Sequence, residues 1–299
     1  MTVSAPATPL APEPLVPRAG FLERQWRVWR RKKIGLASLV VVGFLLVIAA
    51  IGPLIATHDP NRNKLTATLQ SPSPAHYFGT DKNGRDIYSR VIIGARISVV
   101  IGFSAVAVGI TLGSAIGLIS GFVGGALDYG IQRVVDAVMA LPGLVMLMAL
   151  VSVLQPSLPS LIVVLSIWVM PRAIRVVRGE ALITRELDYV NAARALGATS
   201  LRLMFRHILP NVMAPILIIA SVTVGQAIMT EASLSFLGLG VPPPAPTWGN
   251  MLSGNNRQYM TVAPWLVIAP GVAISITVLA FNMFGDALRD VLDPRLRGS

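Results

Sequence analysis

The sequence predicts an all-α fold, a polytopic bundle of six helices that span a membrane. Three observations carry the prediction: apolar stretches of spanning length, too little charge to cover a soluble surface, and a one-sided distribution of arginine and lysine. Charged residues make up 13% of the 299-residue chain and hydrophobic ones 54%, with a mean hydropathy of +0.67. A soluble domain carries about 25% charged residues, roughly twice what is present here. Length alone would allow one or two globular domains, and composition overrides that prior. The formal net charge of +11 would suit nucleic acid, but the cations fall in the connections between apolar stretches and read as loop charges, so no nucleic-acid partner is expected. Cysteine is absent, which excludes disulfides, thiolate catalysis and cysteine-ligated metal.

About 20 apolar residues are needed to cross hydrocarbon roughly 30 Å thick. The first span is read at 34–56. It is preceded by an Ala- and Pro-rich stretch, 1–20, expected to be a disordered cytoplasmic tail, and it forms with its basic approach a unit over 21–56. Its apolar run exceeds that of a signal peptide and no small-residue cleavage site follows, so it reads as a retained anchor. The second span lies within 97–127. The uncharged stretch 137–171 is too long for one crossing and is interrupted by Gln155-Pro156-Ser157-Leu158-Pro159-Ser160, a turn sequence. The third span is therefore placed near 132–154 and the fourth near 159–177. The fifth is 208–230 and the sixth about 262–284. Residues 94–285 form the core, 57–93 an extracytoplasmic loop and 286–299 a cytoplasmic tail.

Arg18, Arg24, Arg27, Arg30, Arg31, Lys32 and Lys33 precede the first span. Arg172, Arg175, Arg178, Arg185, Arg194, Arg202 and Arg206 lie in the long connection 171–207. On the other side, the 155–160 turn has no cation and 231–261 has Arg257 alone, while Asp59, Asp81 and Asp86 partly balance Arg62, Lys64, Lys82, Arg85 and Arg90. The positive-inside rule then puts both termini and the 171–207 connection in the cytoplasm.

Within the spans, Gly109, Gly113, Gly117 and Gly121 repeat every four residues, a stripe through which another helix backbone can approach closely. No acidic or histidine residue sits in the middle of a span, unlike the usual ion-coupled carrier. Asp136 and Glu231, near span ends, are expected as inter-helix or interface partners. Arg172, Arg175 and Arg178 have the three-residue spacing of a voltage sensor. They follow the apolar run, however, and read as interface anchors whose long side chains snorkel to headgroups of the membrane lipid.

The connection itself looks folded. Leu187, Val190, Ala193 and Leu196 give one apolar face of a short helix, with Asp188, Asn191 and Arg194 on other faces. Gly197 stands where a left-handed residue would end that helix. Thr199 or Ser200 can cap a second one, whose apolar side would be Leu201, Met204, Phe205 and Ile208, before Pro210 opens the fifth span. The alternative is a basic amphipathic segment lying on the membrane. The small residues Ala192, Ala193 and Ala195 favour insertion into a protein groove.

Tyr189-Val190-Asn191-Ala192-Ala193-Arg194-Ala195-Leu196-Gly197, followed by Ile208-Leu209-Pro210, resembles the "EAA…G…I-x-L-P" signature of permease subunits in bacterial ABC importers. The stretches Phe78–Arg90, Gly94–Ser98 and Phe281–Arg295 resemble the dipeptide and oligopeptide branch, specifically its C-type subunit, and the likeness runs over 24–297. In one departure the signature's glutamate is Asn191, which keeps a hydrogen-bonding carbonyl without the charge.

The resemblance implies a type I importer permease in the bacterial inner membrane, both termini cytoplasmic. A docking helix, with Leu187, Tyr189 to Gly197, Ala198, Leu209 and Pro210, would transmit the motion of partner ATPases through a coupling loop at 179–207. The implied partners are a sister permease, two cytoplasmic ATPase subunits that bind ATP and Mg, and an extracytoplasmic substrate-binding protein. This chain has no G-x-x-x-x-G-K-[ST] phosphate loop, and it reads as a non-catalytic subunit without cofactor. His58, His76 and His207 are scattered in sequence, so no metal site is expected. The outer loops 57–93, with Asp81, Arg85, Asp86 and Arg90, and 232–261, with Pro242-Pro243-Pro244 and Trp248, would meet the binding protein or sister subunit, or fold as caps on their own chain. The cargo is expected to be a peptide, with nickel, glutathione or an oligosaccharide as alternatives in the same class. A secondary carrier or channel is the rival from another class.

Overall fold

A computed structural model describes residues 33–253 and 258–292. The expected N-terminal tail, the cations Arg18 to Lys32, Arg257 and the end of the C-terminal tail lie outside the described residues. The described residues are mainly helical, with nine α-helices among them: α1 Lys33–Ile55, α2 Ile87–Val123, α3 Gly125–Ala140, α4 Gly143–Leu154, α5 Leu158–Arg185, α6 Asp188–Ala195, α7 Ser200–Phe236, α8 Trp248–Leu252 and α9 Trp265–Leu292. Among the described residues there is no named strand; a lone bridge joins Thr80 to Asp86. Helices α1, α2, α5, α7 and α9 are each long and apolar enough to cross a membrane, and α3 with α4 makes a sixth candidate bent by 94°.

That bend corrects the third span. A continuous crossing near 132–154 is what the apolar run suggests, but the helix breaks at Leu141-Pro142. Pro142 has no N–H to donate and its ring excludes the helical conformation from the residue before it; Leu141 is accordingly extended, with φ −80° and ψ 137°. The 155–160 turn stands as read, with Ser157 capping α5 through the Ser160 N–H.

Other boundaries move as well: α7 runs from Ser200 to Phe236, joining the expected second short helix to the fifth span, and α9 reaches Leu292, past the expected end of the sixth span and into the expected tail. Helix α2 starts at Ile87, ten residues before the expected second span, because the Asp86 carboxylate caps it by accepting from the Ser89 N–H at 2.8 Å. Helix α5 does not stop at 177 but runs to Arg185. Four of the arginines assigned to a cytoplasmic loop are therefore helical, and the connection proper is α6 with its flanks.

The bundle is organised around α2, which packs most extensively on α5 and also touches α1, α7 and α9. The α2–α5 seam is where the glycine repeat lies. A Cβ on Gly113 would stand 2.7 Å from that of Ala173, and one on Gly117 would stand 2.6 Å from the Ile174 carbonyl oxygen. Absent side chains let the two backbones meet, which maximises dispersion contact where lipid supplies no hydrophobic drive. Buried Ser166 adds a crossing bond, its hydroxyl donating to the Ala105 carbonyl at 3.1 Å.

At one end of the bundle the chain between α1 and α2 folds back as a cap. Trp265 Nε1 donates to the Thr80 carbonyl at 3.2 Å, tying the cap to α9, and Arg90 reaches the Pro60 carbonyl at 2.7 Å. Thr80, Asp81, Asp86 and Arg90 are all buried within it. Glu231, fully buried, joins three elements: it accepts from Ser235 at 2.7 Å on its own helix and from Ser98 of α2, whose hydroxyl also receives the Trp248 N–H of α8.

Candidate functional site

Helix α6 occupies the end of the molecule opposite the cap, between α5 and α7. Val190 is wholly buried and is its anchor; Ala193 is half-buried, and Leu187, Tyr189 and Leu196 are exposed, Leu196 by 90%. The expected apolar face is thus split, with one member turned inward and the rest outward. Tyr189 adds a polar fastening, since Asn211 Nδ2 of α7 donates to its hydroxyl at 2.9 Å and to the His207 carbonyl at 2.6 Å.

Asn191 works within the connection: its Nδ2 donates to the Glu186 carbonyl at 3.1 Å, and its Oδ1 accepts from Arg194 at 2.8 Å. At the far end Gly197 takes φ +84°. Its N–H bonds the Arg194 carbonyl, and that of Ala198 bonds the Ala193 carbonyl, the pair of reversed bonds that closes a helix through a left-handed residue. Thr199 then caps α7 by accepting from the Arg202 N–H.

The first turns of α7 differ from the expected helix. Residues Leu203–Ile208 form a π-helical stretch, and the Leu209 N–H reaches five residues back to the Met204 carbonyl. Pro210 follows, and its ring cannot share space with a carbonyl four residues earlier, which widens the turn. The wider turn stacks Leu203 over Ile208, both buried, and leaves Leu201 and Phe205 exposed where an α-helical phase would have grouped them with Met204 and Ile208. Leu187, Leu196, Leu201 and Phe205, with the exposed Ala192 and Ala195, make an apolar surface at this end. Pro210 is exposed and Leu209 half-buried beside it.

The arginines expected as interface anchors have partners within the bundle. Arg175 pairs with Asp136 at 2.5 Å, and Arg178 grips Asp128 through two bonds at 2.5 and 2.6 Å, both carboxylates belonging to α3. The Asp128 partnership was missed in the sequence because the residues stand 50 apart and no short motif joins them. Arg172 instead donates to Gln226 of α7 at 3.0 Å. Behind Arg172 lies a cavity of about 250 Å³ beside the α3–α4 break. A second, of about 540 Å³, opens at the capped end among Arg85, Arg90, Gln155, Pro242, Pro243 and Asn250.

Two of the three histidines, scattered in sequence, meet in the cap. His76 Nδ1 is 2.9 Å from Asp86 Oδ1, His58 stacks on His76 with ring centroids 4.7 Å apart, and His58 Nδ1 is 3.9 Å from Asp86 Oδ2. Such a trio has the donor types of a metal site. Its carboxylate is already spent, however, since Oδ2 also accepts from the Ser89 N–H and hydroxyl as the cap of α2. The cluster is best described as a helix cap reinforced by histidine.

Residues 113–298, more than half of the chain, match the family described as binding-protein-dependent transport system inner membrane component. The chain belongs to this family. The matched segment takes in the last third of α2 and the helices after it, including α6 and the apolar surface described above. Residues 20–72 match a second description, the N-terminal TM domain of oligopeptide transport permease C. Among similar proteins, the dipeptide transport system permease protein DppC of Haemophilus influenzae is 40% identical over 97% of this chain and 99% of its own. The oligopeptide transport system permease protein OppC of Bacillus subtilis is 40% identical, covering 90% of this chain and 88% of its own. The glutathione transport system permease protein GsiD of Pectobacterium atrosepticum is 40% identical, covering 91% and 90%. This permease is thus an all-α membrane subunit of an ABC-type importer.

Proposed function

We propose that this permease is the C-type subunit of an ATP-driven peptide importer, forming one half of the pathway with a sister permease. Two cytoplasmic ATPase subunits would bind ATP and Mg, and an extracytoplasmic binding protein would deliver the peptide. The observation that carries the reading is the exposed apolar surface on a firmly held α6. Val190 pins that helix from below and Gly197 closes it, so force applied to Leu196 and its neighbours passes to α5 and α7 as to a lever. Exposed apolar area of this kind marks a protein contact. Both termini and α6 would face the cytoplasm in the inner membrane. Peptide cargo is supported by the dipeptide and oligopeptide relatives; the glutathione relative carries a peptide-like acid and fits the same pathway.

The test is affinity purification of the chain from native membranes, with the ATPases identified among the co-purifying proteins. Leu196→Asp puts a charge at a 90% exposed position, so the chain should fold while ATPase recovery falls about thirtyfold, the loss of one interfacial hot spot of about 2 kcal/mol. Undiminished recovery with this variant would defeat the docking role of α6.

A further inference from the structure

Arg172, Arg175 and Arg178 occupy successive turns of α5, yet their partners differ. The latter two each hold an aspartate of α3. Among the described residues no carboxylate pairs with Arg172, whose single hydrogen bond goes to the neutral Gln226 amide. Arg172 stands midway along α5, about 20 Å from either end at 1.5 Å per residue. A cation at such depth needs water or a counter-charge, and such residues commonly mark a substrate pathway.

A second polar group converges on the same place. Thr223 of α7 is 97% buried, and its hydroxyl has no hydrogen-bond partner among the described residues. Thr223, Arg172 and Gln226 line one side of the 250 Å³ cavity, and Leu141, Met146 and Trp168 line its apolar remainder. A buried hydroxyl left unpaired is costly, and a group in the cavity that accepts a hydrogen bond would satisfy it. A guanidinium fork beside a hydroxyl donor suits a carboxylate, which accepts at both oxygens.

We propose that this cavity is a transit site for the carboxylate of the carried peptide. Arg172 takes the carboxylate, Gln226 holds the guanidinium in place, Thr223 donates to the anion, and the apolar wall receives the adjoining side chain. The assignment rests on the peptide reading given above. The carboxylate belongs to the cargo, and an acidic side chain of the sister permease resting on Arg172 is the competing occupant.

The experiment uses the assembled importer in nanodiscs, with Met139→Cys as the lone cysteine of this chain at the cavity lining. Labelling of this subunit is followed with an anionic and a cationic methanethiosulfonate reagent. The anionic reagent should react about tenfold faster, as a local potential of a few kT dictates. Arg172→Gln should level the two rates and Arg172→Lys should keep them apart. Alanyl-alanine should slow labelling while its C-terminal amide does not. Equal rates in the parent protein, no labelling, or a preference that survives Arg172→Gln would overturn the site; a sister-subunit carboxylate covering Arg172 gives the first of these. Peptide uptake by the parent importer is measured in parallel. Uptake without anion preference removes the transit site alone, whereas failure of uptake removes the peptide reading itself.

Discussion

At Gly197 the backbone turns through a conformation that side chains resist, and nothing else crowds the position: a Cβ there would meet no atom within 4 Å. Space and strain can therefore be separated. A bulky β-branched residue pays about 1–2 kcal/mol for the left-handed conformation, whereas asparagine visits it readily. Gly197→Val is expected to raise amide hydrogen exchange over residues 188–198 by about tenfold, the equivalent of 1.4 kcal/mol, and to reduce ATP-driven uptake. Gly197→Asn should leave both near the parent values. Equal behaviour of the two variants would show that the φ of Gly197 does not govern the end of α6. This position was readable from the sequence because the rule is local: an apolar period ends and a glycine follows. Asn191 is the opposite case. Its bonds to Glu186 and Arg194 make it a brace inside the connection, a role that a motif comparison alone does not reveal.

Among elements, the α2–α5 seam offers the sharpest comparison between two glycines. On Gly117 a Cβ would meet the Ile174 carbonyl oxygen at 2.6 Å, and that backbone has no rotamer by which to withdraw; on Gly130 of α3 it would meet nothing within 4 Å. Gly117→Ala should lower the Tm of the detergent-solubilised protein, an overpacking cost of about 1–3 kcal/mol. Gly130→Ala should be neutral or stabilise by about 0.5–1 kcal/mol, because alanine is the better helix former. A Tm unchanged by Gly117→Ala would mean that the helices are not held at this separation. The stripe was legible in sequence because it repeats every four residues, and the Gln155–Ser160 turn because its prolines sit between two long runs. The break at Leu141-Pro142 was written there too, but the apolar composition on both sides concealed it. The π-helical turn was not legible, since apolar periods are read at about 3.6 residues per turn and a single five-residue step shifts the phase of everything before it. Asp136 was legible as an inter-helix partner, but its pairing with Arg175 and the Arg178–Asp128 pair were not, because they depend on how α3 lies beside α5.

For the whole molecule, one axis orders the parts: the histidine-braced cap at one end, the Arg172 cavity midway, and α6 at the other. The axis has a direction only if the membrane assigns sides, and the arginine count does so by the positive-inside rule. That count is weaker than it looks in sequence. Arg172, Arg175 and Arg178 are engaged by partners within the bundle, and Arg90, counted against the outer face, is buried on the Pro60 carbonyl. Arg185 is likewise held, by Glu186 and the Gly121 carbonyl, and what remains of the seven to set sidedness is Arg194, Arg202 and Arg206 beside α6, together with the basic approach to α1. Because the chain has no cysteine of its own, a single thiol reports its side cleanly. Ser200→Cys, exposed at the start of α7, should react with an impermeant maleimide in inverted vesicles and not in intact spheroplasts, and Tyr77→Cys, 55% exposed on the cap, should show the reverse. Both sites labelling from one side would mean that the axis does not cross the membrane. The exchange of the two patterns would place α6 outside the cell, where no ATPase could reach Leu196, and would refute the lever on which the importer mechanism depends.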